Sequence, residues 1–225
     1  MKKLDSSKRK ESERQKFIES IYHIVFMGNI VRNFESVLLS IGDKIDENEK
    51  MTVRYSVQWN VMITTISLLD ELDKYLFQYK YSNFADKEVK EKIGSYKYIV
   101  EPILDSIKKW TDFRKFRNNV LAHNFRSKSE GFRSVHLTNK LHSYNAPEST
   151  MDLITLFKYV NSISKIAEEM FKSEYEEGKA IIDAFNNSPK RLSTPEEGRQ
   201  KVNTSFLEVN KRINDYNEEL KNLNR

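Results

Sequence analysis

Apolar residues recur at steps of three and four along most of this chain, the spacing that gives a helix one greasy face. Between Ser12 and Ile41, residues Ile18, Ile21, Tyr22, Val25, Phe26, Phe34, Val37, Leu38 and Ile41 follow that rhythm, and Gly42-Asp43 supplies a stop. A second stripe, Val53, Val57, Val61, Thr64, Leu68, Leu72, Tyr75, Leu76 and Tyr79, predicts a helix over 51–79. Asp70, Glu71 and Asp73 interrupt it; such acids normally face solvent, and the other reading is that one orients a nearby arginine. A short helix is expected over 83–93 with Asn83 as cap, then a break at Gly94-Ser95. The next helix is expected to start at Pro102, because proline suits the first turn, and to end near His123-Asn124.

Residues 125–149 hold no period and are punctuated by Gly131, Asn139, Asn145 and Pro147, so a long loop is expected, in contact with substrate or gating it. Ser149-Thr150-Met151-Asp152 has capping-box spacing and opens a helix that reaches toward Phe185. After the linker Asn186-Asn187-Ser188-Pro189, Thr194, Pro195 and Glu197 mark a last start. Val202, Phe206, Val209, Ile213, Tyr216, Leu220 and Leu223 then form a heptad seam, which packs on the chain's own helices or pairs with a second copy. The expected fold is all-α: an antiparallel helical bundle of four to five main helices, with a C-terminal amphipathic helix. The expected organisation is a flexible basic tail over 1–12, a helical domain over 13–185, and a linker plus heptad-patterned helix over 186–225.

Composition narrows the classes. The chain has 225 residues, no cysteine and four prolines. That excludes disulfides, thiolate metal sites and a cysteine nucleophile. No apolar run approaches the roughly 20 residues that cross a bilayer, and the first residues lack the apolar centre of a signal peptide. A cytoplasmic protein with no membrane partner is the expectation. The net charge of +5 is uneven: Lys108–Lys140 holds nine Lys/Arg against two acids, and Met1–Lys16 holds seven against three. Such asymmetry suits an anionic partner, and RNA is the expected one.

The basic cluster centres on Phe116-Arg117-Asn118-Asn119-Val120-Leu121-Ala122-His123. Histidine titrates near neutrality and serves as acid or base, while arginine stays charged and can fork onto two phosphate oxygens. RNA cleavage needs both: a proton removed from the 2′-OH and charge stabilised at phosphorus. No metal or cofactor is required, because the nucleophile is already tethered beside the phosphate. Six residues along an α-helix turn about 600°, so Arg117 and His123 point some 120° apart. One helix does not bring both onto one phosphate, and a two-fold pair of chains would complete the cleft. Around this pair, Arg114, Lys115, Arg126, Lys128 and Arg133 are the candidate RNA-binding residues. His23 beside the first apolar face reads as a packed or surface side chain.

Arg117, five intervening residues and His123, with the polar Asn118 directly after the arginine, resemble the HEPN superfamily. The phrase from Phe116 to His123, and the helix from Trp59 through Asp70 to Asp73, look like its abortive-infection branch. The resemblance spans about Phe17 to Tyr175, and its specific part is about eight residues. It implies a HEPN-like helical bundle, a homodimer with a composite active site, and metal-independent RNA cleavage leaving a 2′,3′-cyclic phosphate. It also implies a toxin or defence effector, with an antitoxin or another defence-system protein as candidate partner. By position, Arg117 would hold the phosphate, His123 would be the acid/base, and Asn118 would orient one of them. Some members carry a tyrosine two residues after the histidine that a partner enzyme nucleotidylates; Phe125 stands there, so that control cannot act. The alternative is a non-catalytic RNA-binding or scaffold dimer. A metal hydrolase built on His123, His136 and His142 fits less well, since their spacing matches no helical ligand pair.

Overall fold

The structure, a computed structural model, describes residues 6–40, 47–82, 85–119, 126–127, 133–134, 144–147, 149–186 and 195–223. Helices build it: α1 (Ser6–Ser40), α2 (Glu47–Asp70), a π-helical turn (Glu71–Tyr75) and a 3-10 segment (Leu76–Tyr81), α3 (Lys87–Lys108), α4 (Phe113–Asn119), α5 (Thr150–Met170), α6 (Lys172–Asn186) and α7 (Pro195–Leu223). The only pairing of extended backbone among the described residues joins β1 (Arg126–Ser127) to β2 (Arg133–Ser134), antiparallel, with Arg126 opposite Ser134. The chain is therefore all-α, as the apolar periodicity predicts.

The chain divides into two units, Met1–Ile182 and Asp183–Arg225. In the first, α1 packs most extensively on α5 and next on α2, while α3 lies against the 3-10 segment and α5. Phe17, Ile21, Ile24 and Val25 of α1 meet a core that includes Leu156, Phe157, Val160 and Ile163 of α5. Gly28 permits the close approach of α1 to α5: a Cβ there would lie 1.9 Å from Ser164 Oγ and 2.2 Å from Ser164 Cβ. Tyr96 of α3 is fully buried and donates its hydroxyl to the Ile163 carbonyl at 3.1 Å, which satisfies the one polar atom its ring carries inside. In the second unit, α7 has Val202, Phe206, Val209 and Ile213 exposed, and Arg212 Nε donates to Glu208 Oε1 at 3.0 Å.

Several expected boundaries are corrected. α1 begins at Ser6, ahead of the expected start near Ser12. The expected helix over 51–79 starts earlier, at Glu47, and leaves α-helical geometry after Asp70, where one wide π turn precedes the 3-10 segment. The break at Gly94-Ser95 and the start at Pro102 do not occur: α3 runs through both, with Asp86 as its cap, accepting from the Val89 amide at 2.9 Å. A single buried stripe, Ile93, Tyr96, Val100, Leu104 and Ile107, carries the helix past both residues. Pro102 and the residue four before it, Tyr98, lie on the exposed side, where solvent replaces the missing hydrogen bond. The helix from Ser149 has its predicted capping box but stops at Met170, and α6 is separate. The expected stops and caps at Gly42-Asp43, Asn83 and Thr194 lie outside the described residues.

Candidate functional site

The motif does not continue the helix that starts upstream. α3 ends at Lys108, a turn crosses 109–112, and α4 begins at Phe113. The sequence reading of one helix from Pro102 to His123 is therefore corrected. Asn145 holds the turn from outside: its amide nitrogen donates to the Lys109 carbonyl at 3.0 Å and to Thr111 Oγ1 at 3.3 Å. Its backbone exchanges bonds with Asp112, which donates to the Asn145 carbonyl at 3.0 Å and accepts from Asn145 N through Oδ2 at 3.1 Å. The Lys109 carbonyl, which also accepts from the Thr111 amide at 3.0 Å, is thus bonded by a residue more than thirty positions away. Phe113 and Phe116 anchor α4 in the core, and Tyr144 meets the Phe116 ring edge-on at 5.3 Å. Apolar anchors at these two positions turn Arg114, Lys115, Arg117 and Asn118 outward or to the side.

These cations are not equivalent. Arg114 is gripped by two carboxylates from the end of α2: Nη1 donates to Asp70 Oδ1, and Nη2 to Asp73 Oδ2 at 3.3 Å. Lys74 adds a second cation to Asp70, at 3.1 Å. Burial pushes the Asp70 carboxyl upward, but Lys74 and Arg114 together outweigh it and hold the group below its usual value, so it stays ionised at neutral pH. Lys115 pairs weakly with Asp112, at 3.8 Å, and its ammonium lies 5.8 Å from the centre of the Tyr144 ring. Arg117 meets no carboxylate among the described residues. Its Nη1 donates to the Asn118 side-chain oxygen at 2.6 Å, a neutral partner that fixes the guanidinium without cancelling its charge.

The π turn explains how one short stretch serves two neighbours. Glu71 points the other way, accepting from Ser20 Oγ of α1 at 2.5 Å and lying 4.0 Å from His23 Nδ1. Asp70 and Asp73 reach α4 instead. Wide turns of this kind occur often at functional sites. His23 is about half exposed, as its place beside the apolar face suggests.

Of the residues marked from sequence, Arg114, Lys115, Arg117 and Asn118 come together on α4. Arg126 and Arg133 are placed by backbone alone, on the two paired strands that follow. His123, Lys128, Phe125, His136 and His142 lie outside the described residues. Asn145 and Asp112 escaped the sequence reading, although the Asn145 position was visible as a break in the loop. Among the described residues no group of three or more His, Cys, Asp or Glu is arranged to hold a metal ion, and no helix is long and apolar enough to cross a membrane.

Fold and site together define an all-α protein with a short, cation-bearing helix fastened to the end of a longer one. No family model, no curated protein and no solved structure matches the chain.

Proposed function

We propose that the chain is a metal-independent endoribonuclease of the HEPN type, acting as a toxin or abortive-infection effector in the cytoplasm. The observation that supports it best is the contrast on α4: Arg114 is paired with Asp70 and Asp73, while Arg117 meets no carboxylate among the described residues and is steadied by Asn118. A phosphate ligand needs a cation in that second state. In the proposed reaction the His123 imidazole accepts the 2′-OH proton as O2′ bonds to phosphorus. The P–O5′ bond breaks, a second imidazole returns a proton to the leaving oxygen, and a 2′,3′-cyclic phosphate and a 5′-OH remain. Arg117 holds the non-bridging oxygens as charge builds on them. A symmetric homodimer supplies the second His123, so the cleft is composite. Lys115, Arg126, Lys128 and Arg133 guide the RNA backbone through salt-sensitive contacts.

The test is cleavage of labelled RNA by purified protein with and without EDTA. Cleavage is expected to survive the chelator and to fall about 100- to 10,000-fold in His123→Ala and in Arg117→Ala. Undiminished cleavage in both variants would remove the proposal. RNA binding that salt weakens steeply, without any cleavage, would instead leave a scaffold dimer.

A further inference from the structure

Beside Arg114, the ends of α2 and α3 and the start of α4 enclose a groove of about 200 Å³. Its floor is apolar: Leu104 and Phe113 are almost fully buried. Trp110, partly buried, lines it and meets the Phe113 ring edge-on at 70°, so these two rings do not stack on each other. Lys108 and Arg114 also line it, as does Asp73. Sites for drug-sized ligands run to about 300–1,000 Å³. This one has room for a single flat ring system.

We propose that the groove seats one unstacked nucleobase of single-stranded RNA, next to the phosphate assigned to Arg117, and that Asp73 reads the exocyclic amino group of that base. The proposal rests on RNA as the ligand of the α4 edge. An apolar floor with an indole wall suits the face of a base, and stacking of that kind dominates single-strand recognition. Lys108 is paired with Asp105 at 2.9 Å and Arg114 with Asp73, so the phosphate next to the base falls to Arg117. Arg117 follows Arg114 by three residues, so the two lie on neighbouring positions of one helical turn. That is the scale that separates a base from its adjacent phosphate.

Asp73 gives the slot its choice. Its Oδ2 accepts from Arg114. An ionised carboxylate has two oxygens and about four acceptor positions, which leaves capacity for an amino donor. Cytosine N4 and adenine N6 donate at that edge, whereas uracil O4 accepts and meets another acceptor. The slot therefore favours cytosine and adenine over uracil.

The experiment is anisotropy binding of fluorescein-labelled 2′-O-methyl oligonucleotides, which cannot be cleaved: oligo-cytidine, oligo-uridine and an abasic strand of equal length. The full chain is expected to bind oligo-cytidine about tenfold more tightly than the other two. Trp110→Ala reduces oligo-cytidine to the abasic affinity, and Trp110→Phe restores most of the difference. Asp73→Asn narrows the cytidine-to-uridine ratio, while Asp70→Asn, which also loosens Arg114 but does not line the groove, leaves the ratio in place. Equal binding of cytidine and abasic strands, or a Trp110→Ala protein with unchanged preference, overturns the slot. If Trp110→Ala fails to fold by circular dichroism, the wild-type comparison and Trp110→Phe still decide. Cytidine preference in a protein that cleaves nothing would sink the ribonuclease and keep the slot; cleavage that depends on Arg117 without base preference would do the reverse.

Discussion

The α1–α5 contact and the α4 edge are built on opposite rules. The first is largely apolar: fully buried Ile21, Ile24, Val160 and Ile163, a glycine where the two helices approach, and, on its α5 side, Tyr96 of α3 with its hydroxyl satisfied. The second is short, half exposed and held by charges: seven residues, two aromatic anchors and an arginine between two aspartates. A seven-residue helix is too short to persist by its own hydrogen bonds. It exists because α2 and Asn145 hold it at both sides of its preceding turn and along its face. Stability is thus concentrated where no chemistry is proposed, and the proposed chemistry sits where stability is cheap to lose.

The contrast can be broken at the first region most severely. Gly28→Ala drives a methyl into Ser164 and is expected to cost about 2–3 kcal/mol, read as a lower urea midpoint with unchanged slope. Ser164→Gly in the same chain should return part of that loss, a coupling of about 1–2 kcal/mol; additive losses would mean that the two helices do not touch as described. Next comes Tyr96→Phe, which removes the bond to the Ile163 carbonyl and should cost about 1 kcal/mol.

At the edge the effects on stability are smaller and depend on pH. Asp70→Asn should cost about 0.5–1 kcal/mol at pH 7 by freeing Arg114. The folded Asp70 value lies below the usual 3.8, so the wild type's advantage is complete above that pH and is lost as pH falls through the lower folded value. Urea titrations at pH 6 and at pH 3 should therefore show a gap between wild type and Asp70→Asn that narrows in acid; a gap that widens would refute the pairing. The smallest change in stability belongs to Arg117→Ala, under about 0.5 kcal/mol, since its described partner is a neighbouring amide on the surface. The same substitution carries, with His123→Ala, the largest expected loss of RNA cleavage. A protein that melts like wild type yet does not cut would sharpen the division between the two regions.

Much of this architecture is readable along the chain, because helices that bury one face must repeat their apolar residues every three to four positions. The α1, α2 and α5 helices, the Ser149–Asp152 capping box and the helix opening at Pro195 follow from local pattern, although Phe26, Val37 and Tyr75, assigned to the apolar faces, are exposed while Ile24, Val31, Met62 and Ile66 are buried. The failures are where a distant contact outvotes a local signal. Gly94 and Pro102 read as boundaries, yet a continuous buried stripe keeps α3 whole. Nothing local in the sequence marks the turn over 109–112, because part of what holds it, the side chain and backbone of Asn145, comes from more than thirty residues away.

The sequence by itself determined that the protein is helical, where its positive charge gathers, and that Arg117 and Asn118 are neighbours. Only the tertiary structure decided which arginine meets carboxylates among the described residues. Arg114 and Arg117 are alike in sequence, both on one short basic helix. What separates them is the end of α2, whose Asp70 and Asp73 reach one and not the other. Charge compensation is set by distance in space, and spacing along the chain carries no record of it.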